Sequence, residues 1–380
     1  MNAEIHRKAV YAMEAVDYFH IMKTLGVRQM ILQGPPGTSK TYTAKELIAR
    51  ALLEEKKDQN LSDVEKANNY KLFLEKNQVK KRREESGEIN YDGQWDIVQF
   101  HPSYGYEDFV RGITVETRND NVIYKTVNKV FGRMCKIAEK NIEKSFFLIL
   151  DEINRADVAT VFGELIYALE YRGEWVSVPY TLDDEADKSH DDEHRAQICV
   201  PENLYIIGTM NTADRSVGRI DYAARRRFLF FDLLPDKDVI GRQAVEPSEE
   251  QALENARTLF DGVRKLVETA IRKSDGYRAS DFTIGHTYYL CPKGQEKNYG
   301  MILEQRLQYQ ILPILREYCA DGILDPDSLD RFKDEVQEID ELKQYLTGTA
   351  ELEPSGHGER ENSLSVLKDV LLNLGEKANG

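Results

Sequence analysis

The sequence predicts an α/β protein: an open, five-stranded parallel sheet flanked by helices, followed by a smaller helical domain. Three observations predict it. A short apolar run, Met30 to Leu32, breaks into GPPGTSKT (residues 34–41) and then into a helical stretch. A second run, FFLIL at 146–150, is apolar throughout, as a strand buried on both faces must be, and ends in Asp151-Glu152. Beyond Pro235 the pattern changes, and Leu253, Ala256, Phe260, Val263, Val267 and Ala270 recur at helical spacing.

Size and composition agree with this division. The chain has 380 residues, above the length at which one hydrophobic core usually stops growing. Residues 1–235 are read as the α/β domain, with a charged insertion at 56–93 and a hairpin with an acidic tip within 174–200. Residues 236–347 are read as a helical lid, and 348–380 as a linker and a last helix, with Ser363 as its N-cap and Gly375 as its stop. Apolar residues make up 41% and charged residues 31%, ordinary for a globular chain, and there are no internal repeats. No apolar run is long enough to span a membrane, and the N-terminus lacks the apolar core of a secretion signal. The four cysteines lie far apart with no C-x-x-C, so neither a zinc site nor a disulfide framework is expected, and a cytoplasmic location is. The formal charge of −15 repels nucleic acid. A DNA partner would therefore be held by a local patch, the pore of a ring, or another domain or subunit.

The chemistry is expected at the carboxyl ends of the strands, where open α/β sheets bind ligands. Gly34, Pro35, Pro36, Gly37, Thr38, Ser39, Lys40 and Thr41 form a phosphate loop between a strand and a helix. The helix N-terminus presents unpaired N–H groups and positive dipole character to a phosphate. Lys40 adds a mobile cation for the β/γ-phosphates, and the Thr41 hydroxyl can bind Mg²⁺. Ser39 stands where the pattern has a second Gly, used there for backbone freedom, and is expected to alter loop geometry or affinity.

A second strand is expected at Trp95–Phe100, followed by HPSYGYEDFVRGI (101–113), either a functional surface or a loop pinned by its own aromatics. Asp151, at the end of the third strand, would hold Mg²⁺ mainly through water, and Glu152 would polarise the attacking water. Asn154 and Arg155 follow closely enough to face the same site. Residues 157–171 are read as one amphipathic helix, and Leu204–Thr209 as a fourth strand leading to Asn211. With a doubly wound sheet, Asn211 lies between the phosphate loop and Asp151-Glu152, where it can orient water. A fifth strand, Phe228–Asp232, follows Arg225-Arg226-Arg227. Three arginines are too costly to bury unpaired and are expected to meet phosphates or carboxylates, including those of a neighbouring subunit. The basic run Lys80–Arg83 is read as a solvated helical face, and the acidic tip carrying His190 and His194 as a loop rather than a metal site.

Five strands, a phosphate loop, Asp-Glu after the third strand, a polar residue ending the fourth and a helical lid resemble the AAA+ superfamily of P-loop NTPases. Within it the chain resembles the McrB family of restriction motors. The segments that carry the likeness are GPPGTSKT (34–41), FHPSYGYEDF (100–109), LDEINRAD (150–157), NLYIIGTMNTADRS (203–216), DYAARRRF (221–228) and IGHTYY (284–289). MNTADRS is the most specific.

The resemblance implies GTP in preference to ATP, Mg²⁺, a homo-hexameric ring with active sites between subunits, a McrC-like endonuclease partner and DNA. It implies that Asn211 is a sensor near the γ-phosphate, that Asp214 and Arg215 complete its motif, and that Arg225 or Arg226 reaches a neighbour's site. Family members often carry an N-terminal reader of modified DNA, and the early phosphate loop implies that such a reader is removed or lies in another chain. Nothing resembles a nuclease centre. Rival readings are an ATP-dependent remodelling chaperone of the MoxR kind and a ring scaffold that hydrolyses little.

Overall fold

The computed structural model describes residues 15–55, 63–83, 89–118, 121–183, 194–214, 220–350 and 360–378. Packing divides the chain into two compact units, residues 1–33 with 40–232, and residues 34–39 with 233–380.

The strands of the first unit, in chain order, are β1 (Gln29–Gly34), β2 (Lys80–Arg83), β3 (Ile89–Asp92), β4 (Trp95–Gln99), β5 (Arg111–Arg118), β6 (Asn121–Asn128), β7 (Phe146–Asp151), β8 (Trp175–Ser177), β9 (Gln197–Cys199), β10 (Leu204–Asn211) and β11 (Leu229–Asp232). Five build the parallel sheet, in the order β11-β1-β10-β7-β4. Met30 aligns with Leu229, Leu204 with Phe146, and Trp95 with Phe147. β1 and the first six residues of β10 are buried, as are the first five of β7. Their apolar runs bury on both sheet faces, so the hydrophobic effect selects a central position. β10 lies between β1 and β7, and this order brings three successive motifs to neighbouring carboxyl ends.

Helices cover the sheet. Lys40–Glu55 buries Ala44, Leu47, Ile48, Ala51 and Leu52. Phe131, Met134, Cys135 and Ala138 of the helix Val130–Glu139 join the main apolar cluster with Phe100, Phe109, Phe162 and Phe228. The 101–113 segment is pinned by its aromatics. Tyr104 stacks on Phe100 at 4.9 Å, and Phe109 meets Phe131 and Phe162 at 5.0 and 5.2 Å. Arg111 is buried, and its guanidinium donates to Asn128 Oδ1 and to the carbonyls of Tyr180, Arg195 and Gln197. The antiparallel hairpin β5–β6 that follows has no counterpart in the sequence expectations.

Some local expectations are corrected. The basic run 80–83 is a strand paired with β3, and Lys80 lies opposite Asp92, a favourable cross-strand charge pair. The helix of the insertion is Asp63–Asn77. The expected helix at 157–171 is two short ones, Val158–Phe162 and Leu165–Ala168. Gly163 between them has φ 50° and ψ −126°, a state that L side chains avoid. His194 stacks on Trp175 at 4.0 Å, while His190 and most of the acidic tip lie outside the described residues.

The second unit is built on the helix Glu250–Ala270, which buries Ala256, Phe260, Val263, Val267 and Ala270. A π-helical turn (Leu307–Ile311) leads directly into the helix Leu312–Ala320, whose second residue is Pro313. A 3₁₀ segment, Pro326–Phe332, is followed by a helix, Ile339–Leu346, which Glu338 precedes at φ 60°. The last helix runs from Arg360 to Glu376, so Ser363 is not its N-cap and Gly375 is not its stop. Gly375 is a packing residue. A Cβ there would meet Thr258 O at 2.1 Å, and one on Gly262 would meet Leu371 O at 1.9 Å. The two helices cross with their backbones in contact, and neither carbonyl can swing away as a side chain would. Gly262→Ala is therefore expected to cost about 1–3 kcal/mol or more. Thermal unfolding followed by circular dichroism should show the helical unit melting several degrees lower, at about 2–4 °C per kcal/mol. An unchanged transition would contradict this crossing. No helix among the described residues is long and apolar enough to cross a membrane.

Candidate active site

Within the first unit, the helix that begins at Lys40 brings Lys40 and Thr41 beside the ends of β7 and β10. Thr41 Oγ1 donates to Asp151 Oδ1 at 2.7 Å. Thr209 Oγ1 donates to the same oxygen at 2.7 Å and accepts the Glu152 N–H at 3.0 Å. Asn211 Nδ2 donates to Glu152 Oε1 at 2.5 Å. The other carboxylate oxygen, Oε2, is buried, accepts no hydrogen bond among the described residues and lies 3.5 Å from Arg155 Nε. Arg155 also approaches Asp214 Oδ2 at 3.7 Å, and Asn154 Nδ2 donates to the Asn211 carbonyl at 3.2 Å. Arg215 lies outside the described residues.

This packing sets the charges. Burial holds Lys40 down at about 8 against the opposing pull of Glu152 and Asp151. Burial raises the Glu152 carboxyl above its ordinary value, with Arg155 acting the other way. Glu152 also has φ 54°, in the left-handed region, at the turn from β7 into the 3₁₀ segment Ile153–Arg155. A bulky residue there costs of order 1–3 kcal/mol, strain of the kind that collects at functional sites. One carboxylate oxygen is thus fixed by Asn211, and the other accepts no hydrogen bond among the described residues and lies in ion-pair range of Arg155.

The hydroxyl of Thr41 and the carboxylate of Asp151 form a hard-oxygen pair suited to Mg²⁺, which keeps several waters and takes few protein ligands. Among the described residues there is no group of three or more His, Cys, Asp or Glu that could hold a metal unaided. An ion at this pair would complete its shell with water and phosphate oxygens.

Within the second unit, the turn 34–39 is held by the segment Ile284–Tyr288. Gly285 N–H donates to Pro36 O and Thr287 N–H to Gly37 O, both at 3.0 Å. Thr38 Oγ1 donates back to Pro35 O at 3.0 Å. Ser39 has φ 63°. The loop pattern has Gly here because the turn is left-handed, and a serine bears about 1–2 kcal/mol of strain for it.

The three arginines before β11 separate by environment. Arg227 is tied within the chain, to Glu170 at 2.7 Å and to the Ala223 carbonyl at 2.5 Å. Arg225 lies over the Phe230 ring at 4.6 Å. The Arg226 side chain is 67% exposed, and it approaches Glu170 Oε2 at 3.8 Å.

Thr209 was missed by sequence reasoning, although period two places it on the same strand face as Asn211. The His286 contact with Ser39 had no sequence signal, because the partners are 247 residues apart.

Residues 75–228 match the AAA domain (dynein-related subfamily). The chain is 35% identical over 313 residues to the EcoKMcrB subunit of the type IV methyl-directed restriction enzyme of Escherichia coli (strain K12), covering 79% of this chain and 56% of that protein. By these matches the chain is McrB-like. A shorter stretch, 99 residues at 37% identity, matches component YdiS of the type II restriction enzyme BsuMI of Bacillus subtilis (strain 168), covering 24% of this chain and 28% of that one. The chain thus spans about half the length of its McrB relative and less of the other. With the parallel sheet and its flanking helices, the AAA-domain match makes the fold AAA+.

Proposed function

We propose that this chain is the Mg²⁺-dependent, GTP-preferring NTP-hydrolysing motor of a modification-dependent restriction complex. It works as a homo-hexameric ring on DNA and drives translocation or activates a McrC-like endonuclease. The observation that carries the reading is the joined network Thr41–Asp151–Thr209 and Asn211–Glu152 at the ends of β7 and β10. It combines a phosphate-loop hydroxyl and carboxylate suited to Mg²⁺ with a second carboxylate poised for water.

In this reading the helix N-terminus and Lys40 bind the phosphates. Mg²⁺ held by Thr41 and Asp151 would neutralise charge developing on the phosphate oxygens. Glu152 Oε2 takes the proton of the attacking water, while Asn211 holds Oε1 and so fixes the carboxylate plane. Burial of Glu152 strengthens it as a base by raising its pKa. Arg226, extended from the end of its short helix, acts on the γ-phosphate of the neighbouring subunit. The acidic chain would hold DNA through the assembled ring or a separate reader domain.

The test is phosphate release from GTP and from ATP, each with and without the McrC-like protein. Faster release from GTP, stimulated by the partner, is expected. Brisk ATP turnover indifferent to the partner would overturn the restriction-motor reading in favour of protein remodelling. Binding without turnover under every condition would favour a scaffold.

A further inference from the structure

The serine in the phosphate loop has a partner. Ser39 Oγ lies 3.1 Å from His286 Nε2. His286 is buried, and its Nδ1 accepts the Asp236 backbone N–H at 3.3 Å. With Nδ1 an acceptor, the neutral ring carries its proton on Nε2 and aims it at the Ser39 hydroxyl. Burial lowers the imidazole pKa, and Asp236 opposes that only in part, which keeps the ring neutral at pH 7.

The neighbours of His286 grip the same turn. Gly285 and Thr287 donate their N–H groups to Pro36 and Gly37, and a Cβ on Gly285 would stand 2.1 Å from the Gly37 carbonyl. Thr287 is itself held, because Arg306 Nη1 donates to its carbonyl at 2.5 Å. The turn is thus held through residues 36 and 37 by backbone and through residue 39 by a side chain. A glycine at 39 would enter the left-handed region unaided, whereas a serine needs something to hold it there.

We propose that His286 is a positioning residue that keeps the phosphate loop in its left-handed turn by donating to Ser39, so that Ser39 and His286 act as a pair and set nucleotide affinity. The inference rests on the phosphate-loop reading of residues 34–41. The orientation of the peptide shared by Ser39 and Lys40 follows the Ser39 backbone angles, and the phosphate-binding N–H groups follow that peptide. Losing the hydrogen bond lets Ser39 leave the left-handed region, so the competent loop is less populated and the apparent affinity falls in proportion. The chemical step is untouched once nucleotide is bound.

The experiment is a double-mutant cycle on the full chain, read by titration with fluorescent mantGTP and mantATP in Mg²⁺ and by steady-state turnover. His286→Ala should weaken binding and raise KM about tenfold, the scale of one hydrogen bond, with kcat unchanged. In the Ser39→Gly background the same change should cost less than about twofold, because glycine needs no partner. His286→Gln should restore binding to within about threefold, since its amide can both donate to Ser39 and accept from Asp236. Far-UV circular dichroism checks folding. If His286→Ala alone does not fold, the Gln variant and the double variant decide. An equal loss in both backgrounds, no loss in either, or failure of Gln to restore binding overturns the pairing. If the wild type binds neither nucleotide, the phosphate-loop reading falls with it. If the wild type binds and the cycle is additive, only the pairing falls.

Discussion

Replacing Glu152 by Gln is expected to leave nucleotide binding at pH 7 intact and to lower turnover by about 10²–10⁴, the scale of a positioned general base. The substitution is nearly isosteric, and its carbonyl oxygen can still accept from Asn211 Nδ2, so the side chain keeps its place. What disappears is the basic lone pair at the buried second oxygen. A second effect follows from charge. Glu152 is the largest of the nearby charges that hold up the Lys40 pKa, which lies at about 8. Removing its charge lowers that value further, so at pH 8 more of Lys40 is neutral in the variant than in the wild type. Binding of the variant should therefore match the wild type at pH 7 and fall below it at pH 8. Phosphate release and nucleotide titration at the two pH values measure both effects. Turnover within a few-fold of wild type would show that Glu152 is not the base.

Arg226→Ala is expected to lower turnover by about 10³–10⁵ while nucleotide still binds, the range found for arginines supplied across an interface. Arg225→Ala should cost much less, because that guanidinium stacks on Phe230 of its own chain. Arg227→Ala should act on folding, because it breaks the contacts to Glu170 and to the Ala223 carbonyl. A mixing experiment separates action across subunits from action within one. In a head-to-tail ring each site takes its base from one subunit and its arginine from the next. Subunits carrying Glu152→Gln and subunits carrying Arg226→Ala, each inactive alone, should on equal mixing recover up to about a quarter of wild-type turnover. No recovery, in mixtures shown to form rings, would place the arginine within its own subunit or outside the reaction.

Much of the site was legible in the sequence because its parts are contiguous. The run from Gly34 to Thr41 and the pair Asp151-Glu152 each announce themselves within a few residues, at the end of an apolar run. The expectation that Asn211 falls between them needed only the usual order of a doubly wound sheet, and β10 does lie between β1 and β7. The errors fell where local pattern competes with backbone geometry or packing. A helical periodicity at 157–171 ran through Gly163, whose backbone is closed to the helix, and Gly375 read as a stop signal although its role is to let two helices touch.

By itself, then, the sequence determined the fold class, the buried strands and the chemical types at their ends, because apolar periodicity and short motifs are local properties of the chain. Only the tertiary structure decided which groups act on one another. It joined Asn211 to Glu152 across 59 residues and His286 to Ser39 across 247. It also distinguished three adjacent arginines by what each touches. The physical reason is that hydrogen bonds and desolvation depend on distances of a few ångströms between atoms from separate segments, and those distances exist only once the sheet order and the packing of each unit are set.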